Sequence, residues 1–304
     1  NEEKYAIQLN GACGRMGPLS GEGTPRLFAV HDGKLYIFAS EQCKARFEND
    51  PTSFIDGDDP APQPSEEERK AGRALLGKAV DAFACTAGID NLTTLRQVAT
   101  HDEESGGKIY HVTCNITLQF PDDVFREDCW NDSCWGNVVA GPNAWAFSKD
   151  SHEPMNVQQR TALVRTSGRH PIALLRHRND KDLIISSTGD KKSISVPGEG
   201  EIELERVTIQ RAGATTTLGI DGAGRVRLMA YRGRVGASSI GSIECIYSDF
   251  ANVEGVRLPR RVEVSLNGKA VPDESMTFTD LVNNDPKDAA RFAPPSTQPA
   301  GKDN

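Results

Sequence analysis

Two cysteines five positions apart across a polar turn, in Asp128-Cys-Trp-Asn-Asp-Ser-Cys-Trp135, are the residues whose types and spacing speak most directly of chemistry. In an oxidising compartment Cys129 and Cys134 can close a small disulfide loop. The chain has seven cysteines, an odd number, so at least one is free or paired between chains. Cys13 and Cys43 are a second pair of thiols, but two thiolates do not complete a tetrahedral zinc site, and Met16 or His31 would have to be recruited. No bound metal is expected, and a metal- or redox-sensing role for Cys13 and Cys43 stands as the alternative. Cys114 and Cys245 sit among apolar neighbours and read as small core hydrophobes. The six histidines are scattered, with neither His-Glu-x-x-His nor a Gly-x-Ser-x-Gly nucleophile turn. Asp122 with Asp123, and Asp58 with Asp59, read as turn formers, and His152-Glu153 as a surface loop. Gly72-Arg-Ala-Leu-Leu-Gly-Lys78 has the spacing of a phosphate loop, but Ala79 replaces the hydroxyl that would hold magnesium, and the stretch lies inside a helical pattern. These residues predict no enzyme and no cofactor.

Bulk properties narrow the partners. The net charge is −8 over 304 residues, with 28 Gly, 17 Pro and 37% hydrophobic residues. An acidic chain is a poor partner for nucleic acid, whose phosphates need a positive field. No apolar run approaches the roughly 18 residues that span a bilayer. The chain opens on Asn1 rather than Met, which fits numbering that begins after a removed leader, and a periplasmic or secreted location is expected.

The elements that would position any site follow a change of period. Residues 58–65 are rich in proline and acid and read as an extended linker. Ser65 then opens a helix, with Glu68 at capping-box spacing and an apolar stripe of Leu75, Leu76, Ala79, Val80 and Phe83. Gly88 can close it in a left-handed conformation. Strand patterns follow at 138–140, 144–147, 202–209, 218–220, 225–231, 243–247, 261–266 and 275–281, with hairpin turns expected at Asp221-Gly222 and Asn267-Gly268. Only 157–166 and 172–177 look helical among them. The longest signal is Tyr110-His-Val-Thr-Cys-Asn-Ile-Thr-Leu-Gln-Phe120. Its apolar residues alternate without error, giving one dry face along roughly 36 Å of strand. Either the helices fill that face as ordinary core, or they leave room on it for an apolar guest.

Three stretches resemble known families. Tyr5 to Gly17 is similar to the nucleotide-binding start of dihydrodipicolinate reductases, but Pro18, Gly21, Gly23 and Pro25 replace the helix that would hold a pyrophosphate. Leu9-Asn-Gly-Ala-Cys13, then Val30 to Pro51 with its glycine hairpin, Tyr36-Ile-Phe38 and Phe47-Glu-Asn-Asp-Pro51, followed by Phe54, resembles a YHS domain. Lys34 to Phe38 would be its strand, Ser40 its helix cap, and Phe47 and Phe54 its core.

The remainder resembles the outer-membrane lipoprotein carrier-like proteins. The resemblance rests on Phe83-Ala-Cys-Thr-Ala-Gly-Ile-Asp-Asn-Leu92, Phe120-Pro-Asp-Asp-Val-Phe-Arg126, Pro171-Ile-Ala-Leu-Leu175, Tyr247 to Pro259 and Asn283 to Pro294. Together these imply an α+β, mainly β chain: a YHS-like module at 1–57, the linker at 58–65, a curved antiparallel half-barrel with helices against its concave side at 66–297, and a tail at 298–304. The carrier resemblance further implies a non-enzymatic envelope protein that holds a lipid or acyl chain, with other envelope proteins as possible partners. Its ligand-facing residues would be Leu76, Val80, Phe83, Tyr110, Val112, Ile116, Leu118, Phe120 and Trp145.

Overall fold

The computed structural model describes residues 7–10, 24–31, 33–51, 62–83, 88–105, 107–149, 151–155, 157–235 and 240–294. Cys13, Phe54 and residues 58–61 of the expected linker lie outside them. The first unit has strands β1 (Ile7–Asn10), β2 (Thr24–His31) and β3 (Lys34–Phe38), in the order β1-β3-β2, followed by helix α1 (Glu41–Asn49). Ser40 caps α1 as its sequence position predicts, accepting from the Cys43 amide at 3.2 Å. Tyr36, Phe38, Cys43 and Phe47 form the small core.

The second unit begins with α2 (Glu66–Phe83). Its capping box is complete: the Ser65 amide donates to Glu68 Oε2 at 2.7 Å and the Glu68 amide to Ser65 Oγ at 3.2 Å. The predicted stripe is the buried one, through Leu75, Leu76, Ala79 and Phe83, and each such large side chain contributes roughly 1.5–3 kcal/mol on burial. Gly72 is explained by packing: a Cβ there would lie 2.7 Å from the Ile185 side chain, so the helix approaches the sheet closely. The phosphate-loop spacing is thus a stretch of helix. Gly88 has φ 75° and ψ 127°, outside the left-handed helical values expected of a cap, and precedes a 3-10 turn at Ile89–Asn91.

The strands follow as β4 (Thr94–Ser105), β5 (Lys108–Gln119), β6 (Asp123–Trp130), β7 (Ser133–Ala140), β8 (Asn143–Ser148) and β9 (Ser151–Pro154). Helices α3 (Val157–Gly168) and α4 (Pro171–Arg176) interrupt them. Then come β10 (Ile184–Ser186), β11 (Lys191–Val196), β12 (Gly200–Arg211), β13 (Ala214–Ile220), β14 (Val226–Gly233), β15 (Gly241–Val253), β16 (Val256–Leu266), β17 (Lys269–Ala270) and β18 (Met276–Asn283). Among the described residues they build one antiparallel sheet in the order β10-β12-β13-β14-β15-β16-β18-β4-β5-β6-β7-β8-β9, with β11 on β12 and β17 on β16. The fold is therefore mainly β, as expected.

Two local readings change. His152-Glu153 belongs to the exposed strand β9 rather than a loop, because Phe147 and Ala146 offer it a pairing edge. The turn after β13 runs from Asp221 to Arg225 and places its positive φ at Gly224, not Gly222. Asp221 Oδ1 accepts from the amides of Ala223 and Arg225, both at 2.9 Å, which fixes this wider form. Asn267 and Gly268 do take the paired positive φ values, 51° and 76°, that a tight hairpin requires.

The sheet bends strongly. Arg211, at the end of β12, bonds both oxygens of Asp122 in the β5–β6 turn at 2.9 and 3.1 Å, although six strands lie between β12 and β5. In a flat sheet, at about 4.8 Å per strand, the two would be more than about 30 Å apart. The inner face of that bend carries α2, α3 and α4.

Candidate functional site

The inner face of β4–β7 can be read row by row from the strand registers. In the first row Leu118 stands opposite Leu95 and Val124, and Val124 opposite Val139. Leu163 and Val164 of α3 pack on this row and seal it. In the next, Ile116 stands between Gln97 and Arg126, and in the one after that Cys114 stands between Ala99 and Asp128. Asp128 in turn faces Trp135 on β7. Beyond these, Tyr110 meets Trp130 edge to face at 4.7 Å. The same face thus changes along its length from aliphatic, to charged, to aromatic.

The charged rows combine groups from distant parts of the chain. Arg126 donates to Asp128 at 2.9 Å through Nε and 3.5 Å through a terminal nitrogen. Burial opposes the Arg126 charge, but the acidic groups beside it, Cys114, Asp128 and Glu274, more than offset that and hold its pKa above the ordinary value. Burial pushes the Cys114 thiol up to about 12, so it is neutral and unreactive. Burial also raises the Glu274 carboxyl, against the opposing pull of Arg126 and His101. The Nδ1 atom of His101 is buried without a hydrogen-bond partner. Although protein surrounds Arg126 closely enough to desolvate it, 33% of its side chain remains accessible to water.

The opposite end of this face is closed. Arg176 of α4 donates to the carbonyls of Ile89 and Asp90, both at 3.0 Å, and to that of Leu92, while its guanidinium lies 5.1 Å from the Phe120 ring. His177 Nδ1 meets Asp180 Oδ2 at 2.6 Å and Nε2 meets Asp122 Oδ1 at 3.4 Å. The Asp122 hydrogen bond is the main cause of a raised His177 pKa, while His177, then Arg211, hold Asp122 well below the usual carboxylate range. With both ring nitrogens facing carboxylates, the charged form is stabilised relative to a free imidazole. This group ties the two edges of the bend together over α4.

The structure brings most of the predicted residues together. Val112, Ile116 and Leu118 share the inner face, with Tyr110 at its aromatic end and Phe120 under Arg176. Leu76 and Phe83 are buried in the core cluster that continues onto Leu95, Ala99 and Cys114, and Val80 packs against it. Trp145 does not join them. It pairs with Val138, which alternates away from Val139, so its ring lies on the outer face with Phe125 and Phe292. Arg126, Asp128 and Glu274 were not singled out by the sequence. The available signal was that Val124, Arg126 and Asp128 share one parity, so two charges follow an inward-facing valine. Cys129 and Cys134, the candidate pair, are joined as a disulfide. With Glu127 they are the only group of three potential metal ligands close enough to share an ion among the described residues. Cys43 is buried and accepts from Ser40 Oγ at 3.0 Å. An open cleft of about 600 Å³ also lies beside α2, lined by Ala74, Gly77, Lys78, Asp81, Ala82 and Ala223. No helix among the described residues is long and apolar enough to cross a membrane.

No family model matches the sequence, and no curated protein matches it significantly. Solved structures to which the chain is similar include three bacterial proteins. A DUF1329 family protein from Desulfovibrio piger has 11% identity and a TM-score of 0.48 over 74% of this chain and 97% of its own. A putative outer membrane lipoprotein-sorting protein domain from Vibrio parahaemolyticus has 7% identity and a TM-score of 0.44 over 73% and 99%. A LolA superfamily protein from Nitrosomonas europaea has 12% identity and a TM-score of 0.46 over 73% and 97%.

Proposed function

We propose that this chain is a non-enzymatic binding protein of the cell envelope that shelters an apolar or amphiphilic molecule on the inner face of its bent sheet. The observation that carries this reading is the unequal cover of that face. Helices seal it at Leu118, Val124 and Val139, whereas at the other end Trp130 and Trp135 keep 37% and 40% of their surface exposed. Exposed aromatic side chains at the edge of a part-exposed apolar stripe form a suitable landing place for a hydrocarbon chain. Ile116 and the ring of Tyr110, both part-exposed, would line its path. The Cys129–Cys134 disulfide supports an oxidising, exported setting.

Organic extraction of the purified full chain, followed by mass spectrometry, tests the reading. Co-purified lipid or fatty material, absent when Ile116→Arg fills the path, is the expected result. An extract with no more lipid than that of an unrelated control protein would count against it.

A further inference from the structure

We infer that the β6–β7 hairpin is a redox-gated metal site, in which Glu127, Cys129 and Cys134 hold a divalent ion of the zinc class when the two sulfurs are reduced. The site lies on the outer face with Phe125, across the sheet from the proposed apolar path, and does not depend on that reading. Its basis is convergence. One ligand atom from each of the three residues falls within 4.8 Å of the other two, and all three are part-exposed, so an ion can reach them. Glu127 and Cys129 alternate onto one face of β6, and Cys134 stands directly opposite Cys129 on β7. Four residues separate the cysteines, within the spacing of paired zinc thiolates.

Reduction does not disperse the set. Backbone pairing continues from Val124–Val139 to Trp130–Ser133, so the register, and not only the covalent bond, keeps the sulfurs adjacent. Tetrahedral zinc places two sulfurs roughly 3.8 Å apart, a separation that side-chain rotation supplies across a directly opposed pair. Two thiolates and a carboxylate carry three negative charges, and the residues flanking them in register, Thr113, Asn115 and Gly136, are uncharged. A divalent cation resolves that repulsion, where otherwise the thiols must stay protonated. Two soft donors and one hard one suit a borderline ion such as Zn2+, whereas Ca2+ and Mg2+ take oxygen. Asn115 faces Glu127 from β5, and its Oδ1 is buried with no hydrogen-bond partner among the described residues. A water in the fourth position of the ion would donate to it. On the other flank a Cβ at Gly136 would lie 2.6 Å from Phe147 Cζ, so that ring walls the cluster with apolar surface. Exchange with a disulfide oxidant would join the Cys129 and Cys134 sulfurs, convert the oxidant to two thiols with two protons from solvent, and release the ion.

Cobalt titration of the full chain, reduced with a phosphine and kept free of oxygen, tests the proposal. One equivalent should bind with the absorption bands of a tetrahedral cobalt thiolate, zinc should displace it, and the disulfide form should bind none. The chain has other cysteines, so variants decide the matter. Cys129→Ser combined with Cys134→Ser should abolish the bands. Glu127→Gln keeps both thiols, changes a part-exposed position, and should weaken zinc binding about tenfold or more. No stoichiometric binding by the reduced chain, bands that survive the loss of both cysteines, or unchanged zinc affinity in Glu127→Gln would overturn the assignment.

Discussion

The two ends of one face, built from the same strands with the same alternation, differ in what the rest of the chain brings to them. At the end marked by Leu118, α3 and α4 add aliphatic side chains, and Arg176, His177 and Arg211 clamp helix to strand. At the end marked by Tyr110, the chain adds Glu274 and two partly exposed tryptophans. The lesson is that a dry stripe specifies a surface to be covered, while sequence-distant elements decide whether core or ligand covers it. The closed end should therefore govern stability, and the open end binding.

The largest separation between the ends should appear on truncating buried side chains. Leu175 is fully buried against the closed end. Leu175→Ala should lower unfolding free energy by about 2–5 kcal/mol in urea titration. Trp130→Ala should cost less than about 1 kcal/mol there, as exposed sites usually do, while weakening amphiphile binding. Equal costs at the two sites would dissolve the distinction.

A middle-sized effect is expected at the clamp. Arg176→Met keeps much of the volume but leaves the carbonyls of Ile89, Asp90 and Leu92 without their donor. The loss should be about 2 kcal/mol, and hydrogen exchange of the 89–92 amides should accelerate.

The smallest effect depends on pH. His177 has a raised pKa in the folded chain, first through Asp122 and less through Asp180, with Arg211 opposing. A group whose folded pKa is raised stabilises most fully below its unfolded value of about 6.5, and that stabilisation disappears as pH rises through the folded value. The unfolding free-energy advantage of the natural chain over His177→Gln should thus shrink as pH rises above about 6.5, by an amount on the order of 1 kcal/mol. An advantage that grows over this range would show that the two carboxylates do not act on His177 as described.

Much of this was legible in the sequence, because local rules decide it. The Ser65–Glu68 box, the α2 stripe, the alternation of β5 and the Asn267-Gly268 turn all depend on neighbours within a few residues. What could not be read depends on register across turns and on distant partners. Trp145 lies on the outer face because the β7–β8 hairpin pairs it with Val138, and parity within one strand does not reveal that pairing. Thr117 looked like a solvent-facing residue, yet it is fully buried. Its outer face is covered in the neighbouring strands by Phe292 and the Arg291 guanidinium, the latter 5.1 Å from the Phe125 ring. Asp122 is a turn former, as read, but its partners Arg211 and His177 are 89 and 55 positions away. The turn that carries Glu274 lies against β4 only because β18 lies between β16 and β4.

The three tryptophans supply the most direct test, since Trp130 and Trp135 lie on the inner face and Trp145 on the outer. A dodecyl chain carrying a terminal bromine quenches indole fluorescence on contact. It should saturably quench a Trp145→Phe variant, in which only the inner pair emits, and leave a Trp130→Phe, Trp135→Phe variant unaffected. Quenching that rises linearly without saturation in the first, or is equal in both, would contradict a sheltered hydrocarbon site on the inner face.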